Sequence, residues 1–326
     1  LSGFYVHGGD GSDNLFLLDG VPLYQVSHLA GLFSAFNTEI IENLDFYKSG
    51  FPSRFGGKTS SVVDITTRPG DFQNFKGSFN IGLLNGGLQM EGPIVPGKTS
   101  FNVAVRRTWF DVFTIPYNII ANLSQPYGDS GKVKFAMTDL NASLNHLFDK
   151  DSRLTFNFYT GSDHVRYKWT DLQVKYWEGT RHTGESGHDV NVRWGNILSS
   201  IAWKKIFSDD LHLSTTLYYT RSNTDVGQVS EKWEIGRGNM LEIIDRHLAE
   251  RNYSRLHDLG AKADLDWIPS EYHHFRAGLS YVAHMFRPVR EFGIRTTENG
   301  EVVYSDDDSY SVDYNASEAS VYVEDE

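Results

Sequence analysis

From about Phe75 onward the chain alternates apolar and polar residues with a period of two, the spacing of strands whose two faces meet different surroundings. In Arg153 to Gly161, Leu154, Phe156 and Phe158 fall on one face and Thr155, Asn157 and Tyr159 on the other. Leu259, Ala261, Ala263, Leu265 and Trp267 alternate with Asp258, Gly260, Lys262, Asp264 and Asp266. Phe101, Val103 and Val105 repeat the theme, as do Phe275, Ala277, Leu279 and Tyr281. No comparable helical periodicity appears here. The pattern predicts about ten antiparallel strands, beginning with a tight hairpin around Asn85 and Gly86.

The connections alternate in length. Short ones fall at Pro93 to Lys98, Phe148 to Ser152, Ser208 to Asp210 and Pro269 to Tyr272. Between them lie polar and aromatic stretches of about 25 residues, at roughly Phe110 to Met137, Asp163 to His188, Thr224 to Glu250 and Val289 to Asp313. Tight turns at one end and long loops at the other describe an outer-membrane β-barrel. A soluble β-sandwich has no physical reason to lengthen every second loop. Trp109, Tyr159, Trp194, Tyr218, Tyr219, Tyr253 and Trp267 fit aromatic belts at the membrane interfaces, or ordinary strand composition. An apolar outer face must close on itself, so these strands are expected to be the first of a larger barrel.

Composition narrows the picture. Among 326 residues the net charge is −12, which argues against a nucleic-acid partner. The mean hydropathy of −0.40 and the lack of a long apolar stretch exclude a helical membrane span but allow a barrel. The absence of cysteine excludes disulfide scaffolds, thiolate zinc sites and cysteine nucleophiles. Eleven acidic residues and one basic residue lie between Glu291 and Glu326. Asp306, Asp307 and Asp308 among them read as a solvated loop; a calcium site there would need further oxygen ligands. Neither terminus carries a targeting or stop pattern, which reads as an internal piece of a longer protein.

The first seventy-odd residues differ, with dense glycine, turns at Asp19-Gly20 and Ser49-Gly50, and short apolar runs at Leu15 to Leu18 and Val62 to Ile65. They predict a small α/β unit with a short helix around Gly31 to Ile41, a strand at Leu44 to Tyr47 and a boundary at Arg68-Pro69-Gly70-Asp71. Gly8-Gly9-Asp10-Gly11-Ser12-Asp13-Asn14-Leu15-Phe16 fits a calcium-binding nonapeptide repeat, but only once, and such repeats work by stacking. A tight turn ahead of the strand Leu15 to Leu18 is the expected role.

Four blocks then carry a resemblance. Val6-His7-Gly8-Gly9, Leu17-Leu18-Asp19-Gly20-Val21-Pro22, Ile41 through Gly50, and Arg54-Phe55-Gly56-Gly57 with Ser60-Ser61-Val62-Val63-Asp64-Ile65-Thr66-Thr67-Arg68 resemble, in order and spacing, the plug of TonB-dependent outer-membrane transporters. The resemblance extends over the whole chain and implies a mainly β protein: a small α/β plug domain followed by part of a large antiparallel transmembrane β-barrel. The implied domains are the C-terminal portion of the plug at 1–72 and about ten barrel strands at 73–326. His7 stands where the family usually has Arg, and Ser60-Ser61-Val62-Val63-Asp64 replaces the usual Gly-Gly-Val-Ile-Asn. The run Phe46-Tyr47-Lys48-Ser49-Gly50-Phe51-Pro52 looks most like a Bacteroidetes branch distinct from the lidded glycan importers.

The family's plug apex corresponds to His7 to Asp13 and Pro22 to Phe36, making His7, Tyr24, Gln25, His28 and Phe36 the implied ligand contacts. Tyr167, Trp169, Tyr176 and Trp177, beside Arg166, Lys168 and Lys175, offer a further surface for a sugar, haem or aromatic siderophore. Glu42, Asp45, Lys48 and Arg54 are candidates for plug-barrel ion pairs that govern gating, with Arg106 or Asp264 as lumen partners. The implied partners are TonB, through a segment that lies upstream of Leu1 in the family, outer-membrane lipid, and a small or oligomeric ligand; a surface lipoprotein stays open. His182, His188, His273 and His274 have no zinc spacing, and no nucleophile elbow, phosphate loop or carboxylate pair is present. No catalytic residue, metal or cofactor is therefore expected, and the chain reads as a transporter importing a scarce or bulky ligand. A passive porin or export channel, a surface binding or adhesion protein, and a soluble carbohydrate-binding sandwich are the rivals.

Overall fold

The computed structural model describes residues 13–48, 50–57, 60–123, 130–235 and 243–326. The chain is mainly β. Its first unit is a mixed sheet in which β1 (Asn14–Leu18) pairs antiparallel with β2 (Val21–Pro22) and parallel with β6 (Ser61–Thr67). β6 also pairs antiparallel with β5 (Ile41–Tyr47) at the far edge. Asp19 and Gly20 both take positive φ, 53° and 72°, which suits a two-residue hairpin turn between β1 and β2. The Asp19 carboxylate accepts hydrogen bonds from the Thr67 amide and hydroxyl, tying this turn to the end of β6. The helix expected around Gly31 to Ile41 is absent. Instead, the short hairpin of β3 (Ser27–His28) and β4 (Phe33–Ser34) surrounds one 3-10 turn at Leu29–Gly31, and a second follows at Thr38–Ile40. The Asn37 side chain caps that second turn by accepting from the Glu39 amide.

The second unit is one large antiparallel sheet. Its strands follow chain order: β7 (Lys76–Ile81), β8 (Asn85–Val95), β9 (Thr99–Thr108), β10 (Ser130–Asp149), β11 (Ser152–Trp177), β12 (Thr180–Ser208), β13 (Leu211–Ile235), β14 (Ile243–Ser270) and β15 (His273–Glu298). β16 (Glu301–Ser311) pairs one half of β15 and β17 (Tyr314–Asp325) the other, so both occupy the tenth strand position. The first hairpin turns at Gly82 to Asn85, slightly ahead of the expected place, and the four short connections stand where the sequence put them.

The long stretches are different. Asp163 to His188 continues β11 and β12, flanked by β10 as far as Thr170 and two-stranded from Asp171 to Ser186, turning at Glu178 and Gly179 with φ of 45° and 78°. Thr224 to Glu250 and Val289 to Asp313 likewise carry strand pairing, and Asp306, Asp307 and Asp308 sit in β16 opposite Ile294, Gly293 and Phe292 rather than in a loop. The Phe110 to Met137 stretch begins with α1 (Phe110–Leu123). Pro116 lies inside this helix, and apolar side chains such as Val112, Ile115, Ile119 and Leu123 are left exposed. Neither feature resembles the one-sided apolar stripe by which a sequence announces a helix.

The two faces of the large sheet differ in chemistry. One cross-strand row reads Leu144, Phe156, Ile201, Leu217, Ala261, Tyr281 and Ala319. Its side chains point away from the first unit, and Leu217 is 62% exposed. The neighbouring inward row reads Asn102, Ser143, Asn157, Ser200 and Tyr218. Along β14 the outward apolar run from Leu259 to Trp267 covers nine residues, about 30 Å of strand. At the tilt usual for barrels this is a band roughly 23 Å tall, the height a membrane requires. Tyr219 and Trp267 belong to this outer face, whereas Tyr159 and Tyr218 face inward and are buried.

The first unit touches both edges of the large sheet. Glu39 accepts hydrogen bonds from Ser78 and Asn80 on β7, and Glu324 on β17 accepts from the Ser53 amide and hydroxyl. Ten strand positions laid flat would span about 43 Å. A unit of this size is only about 25 Å across. The sheet therefore curls around the first unit, although its two edge strands do not pair with each other among the described residues.

Candidate functional site

The contact between the small sheet and the curled wall is a polar seam. At its centre the β3 hairpin places His28 between two strands of the wall. Nδ1 of His28 lies 2.7 Å from Asp163 Oδ2 on β11, and Nε2 lies 2.7 Å from Asp139 Oδ1 on β10. The Leu29 amide donates to the other Asp163 oxygen at 3.1 Å. Arg106 on β9 reaches Asp139 Oδ2 at 2.6 Å and also donates to the Ser34 carbonyl of β4 at 2.6 Å. The Tyr159 hydroxyl donates to Asp139 Oδ1 at 3.1 Å. His28, Asp139, Asp163 and Tyr159 are all buried.

This arrangement balances charge. Burial by itself disfavours the charged imidazole, but the hydrogen bonds to Asp139 and Asp163, with their negative charges, outweigh it and raise the His28 pKa to about 9. His28 is thus cationic at neutral pH, and His28 with Arg106 offsets the two aspartates. The Tyr159 ring crosses Gly161, where a Cβ would fall on the tyrosine hydroxyl and within 2.7 Å of Asp139 Oδ1.

Two further groups of contacts extend the seam. The Tyr24 hydroxyl donates to Asp258 on β14, whose other oxygen lies 2.7 Å from His284 Nδ1 on β15. Burial, followed by the hydrogen bond to Asp258, holds the Tyr24 phenol neutral well beyond its ordinary range. Lys262 on β14 donates to the Gly20 carbonyl at 2.7 Å, and Asn196 on β12 donates to the Gln25 carbonyl at 2.7 Å. Toward the linker, Ser100 and Asn145 both donate to the Pro69 carbonyl and Asn102 donates to that of Arg68. Apolar contact comes from a modest cluster in which Leu18, Val21, Leu23 and Ile65 meet Tyr159, Leu198 and Tyr218, and from Phe33, whose ring lies edge-on 6.3 Å from that of Phe110 on α1.

The sequence-derived site residues fall into three places. Tyr24, Gln25 and His28 are in the seam, bonded to the wall; the Gln25 amide also reaches Thr224 Oγ1 at 3.4 Å. Phe36 is half-buried and stacks on Phe16, their rings 6.3 Å apart. His7 lies outside the described residues. Tyr167, Trp169 and Trp177 lie on β11 beyond Asp163 and on its inward face, whereas Arg166, Lys168 and Tyr176 alternate onto the outward face. The sheet therefore separates Arg166 and Lys168 from Tyr167, Trp169 and Trp177, whereas Lys175 shares the inward alternation and its Nζ lies 5.3 Å over the Trp233 ring. At about 3.3 Å per residue, Tyr167 is some 13 Å and Trp177 some 46 Å along the strand from Asp163.

Glu42, Asp45 and Lys48 are exposed along and just past β5. Among the described residues no ion pair links them to the wall, and Asn43 donates to Asp45 within the strand. The Arg54 guanidinium lies 4.6 Å over the Phe55 ring. Of the suggested lumen partners, Arg106 binds Asp139, and Asp264 accepts from Tyr322. Asp139, Asp163, Asp258 and His284 had no mark of their own in the sequence beyond being polar positions on the inward side of alternating strands. Among the described residues, no group of three or more His, Cys, Asp or Glu side chains is arranged to hold a metal ion.

No family model and no curated protein matches the chain. Among solved structures it is similar to the siderophore receptor PiuA from Acinetobacter baumannii, with a TM-score of 0.42 and 10% identity over 97% of this chain and 56% of that one. It is also similar to the siderophore receptor PirA from Pseudomonas aeruginosa, with a TM-score of 0.35, 11% identity, and coverage of 97% of this chain and 79% of that one. The ferric yersiniabactin uptake receptor FyuA from Yersinia pestis gives a TM-score of 0.30 and 12% identity over 95% of this chain and 53% of its own. The chain thus spans from about half to about four-fifths of those chains.

Proposed function

We propose that this chain is part of a TonB-dependent outer-membrane transporter of the Bacteroidetes type, with residues 1–72 acting as plug and 73–326 as barrel wall, importing a scarce or bulky ligand with energy from the inner membrane. The observation that carries this reading is the small unit seated across the concave polar face and hydrogen-bonded to both edge strands, while the convex face presents an apolar band. An apolar seal would resist displacement by the full cost of exposing its apolar surface to water. A seam of hydrogen bonds and ion pairs exchanges its partners for water, so the net cost of each bond broken is only about 1 kcal/mol. That suits a plug pulled from the side of the short turns.

In this reading Tyr24, Gln25 and His28 hold the closed state. Phe36 and the inward aromatic residues Tyr167, Trp169 and Trp177 are the candidate ligand contacts on the side of the long ribbons. The rival passive channel shares the wall but has no use for a filled lumen, and an adhesion protein has no use for a displaceable one. The test is depletion of medium components, followed by mass spectrometry, in cells with and without the protein and with and without a proton-gradient uncoupler. Active import predicts a compound removed only by energised, protein-bearing cells. Depletion that survives the uncoupler would favour the passive channel.

A further inference from the structure

The turn between β1 and β2 carries a charge that the fold leaves unbalanced. Asp19 is half-buried as a residue, but its carboxylate is turned into the seam. There it accepts from the Thr67 amide at 2.8 Å and from the Thr67 hydroxyl at 2.9 and 3.0 Å. It also borders a small cavity between the small unit and the wall, with room for no more than about one water molecule. Asn141 on β10 and Asn157 on β11 line the same cavity, and their side-chain oxygens are buried with no hydrogen-bond partner among the described residues. Leu18, Leu198 and Tyr159 add apolar surface.

No cation answers the carboxylate at contact distance among the described residues. Asp64, nearby on β6, adds a like charge, and Lys204 on β12 offsets it only in part. Lys262 on β14 donates to the Gly20 carbonyl instead, and Arg68 at the end of β6 turns its guanidinium to the Glu39 carbonyl and to Glu91. From β10 and β11 come neutral groups alone, the two asparagine amides and the Tyr159 phenol, which donates to Asp139. A carboxylate shut away from water without a cation favours its neutral form. Burial outweighs the bonds from Thr67 and raises the Asp19 pKa from 3.8 to about 6.

The charge is not something the turn itself needs. Asn-Gly suits a two-residue hairpin turn with positive φ as well as Asp-Gly does, and an asparagine oxygen could accept from Thr67 equally. What aspartate adds is a sign. Its folded pKa lies above the unfolded value, so the favourable contribution is fully present below about pH 3.8 and is lost as pH rises through about 6. At neutral pH the ionised group works against the closed seam. Resting on the plug reading above, we propose that Asp19 is a proton-operated release point: charged, it weakens the hold of the β1–β2 turn on β6 and readies the small unit for displacement, and protonated, it locks the unit in place.

The test is hydrogen exchange on the full protein in detergent, comparing it with D19N through the protection factors of amides in β1 and β6. At pH 7.5, D19N should be protected about 100-fold more strongly, and at pH 4 the two should nearly coincide. Between pH 6 and pH 4 protection should therefore rise about 30-fold more in the unmodified protein than in D19N. That window lies below the one in which His28 loses its proton, and H28Q should keep the same difference. A gap between the two proteins that is equal at pH 4 and pH 7.5 would overturn the proposal, by giving Asp19 a purely structural part. Weaker protection of D19N at every pH would overturn it as well, since the carboxylate would then support the seam. The full response in a protein recovered without detergent would leave the proton site standing but overturn the plug reading, and the release role with it.

Discussion

At the residue scale, His28 is the centre of the closed seam because it sits buried between two carboxylates with one nitrogen toward each. Its folded-state pKa of about 9 lies above the ordinary value of 6.5. The stabilisation is therefore fully present below about pH 6.5 and is lost as pH rises through about 9, a difference on the order of 3 kcal/mol. The protection factor of the Leu29 amide, whose N–H donates to Asp163, should fall across that window once each rate is referred to the intrinsic base-catalysed rate at that pH. In H28Q the protection factor should be low and flat over the same range, since the cation facing the aspartates is gone; a protection factor that still falls with pH in H28Q would assign the pH dependence to another group. Gly161 makes a second, independent demand. Any Cβ there displaces the Tyr159 hydroxyl from Asp139, so G161A should destabilise the protein by about 1–3 kcal/mol in urea unfolding. G131A, on β10 where a Cβ meets nothing within 4 Å, should cost much less.

At the element scale, α1 solves a problem created by the unequal lengths of β9 and β10. β9 pairs β10 only from Thr138 to His146, which leaves the far part of that edge without a strand partner. The helix supplies the missing bonds from its side chains: Asn118 both accepts from the Val133 amide and donates to its carbonyl, and Asn122 accepts from the Gly131 amide. A covered edge is protected from pairing with other chains. The double variant N118A/N122A should expose the Gly131 and Val133 amides to exchange at a cost of about 1–2 kcal/mol each, with the Asp139 region unchanged. A uniform loss of protection along β10 would mean that the helix supports the whole strand. This helix was hidden in the sequence because its apolar residues surround it and Pro116 interrupts it. The strands were legible because each has one apolar and one polar face. The ribbons beyond the apolar band were read as loops for the same reason: once both faces are polar, the alternation that marks a strand fades, as in Tyr167 to Trp177. The seam was only half legible. Tyr24, Gln25 and His28 came from a family resemblance, but their partners Asp139, Asp163 and Asp258 are brought together by strand register, which no single segment encodes.

At the scale of the whole molecule, a wall that curls around a unit touching both its edges has either a fixed filling or a movable one, and the chain's lack of cysteine allows the two to be told apart. Ser53 and Glu324 meet at the β17 edge, the Ser53 hydroxyl 2.8 Å from the carboxylate. The Ser–Glu side-chain span exceeds the reach of a direct disulfide, so S53C/E324C would be joined by a short bis-methanethiosulfonate bridge that reductant removes. The measurement is potassium chloride conductance of the protein in planar bilayers. Because polar contacts dominate the seam, molar urea on one side should unseat the small unit and open a conducting path in the unbridged protein. The bridged protein should stay closed under the same urea, and reductant should restore opening. Conductance without urea, unaffected by the bridge, would identify a passive channel whose small unit does not fill the lumen. Closure that persists in urea before any bridge is made would identify a fixed filling, leaving the ion pairs of the seam as part of a permanent core.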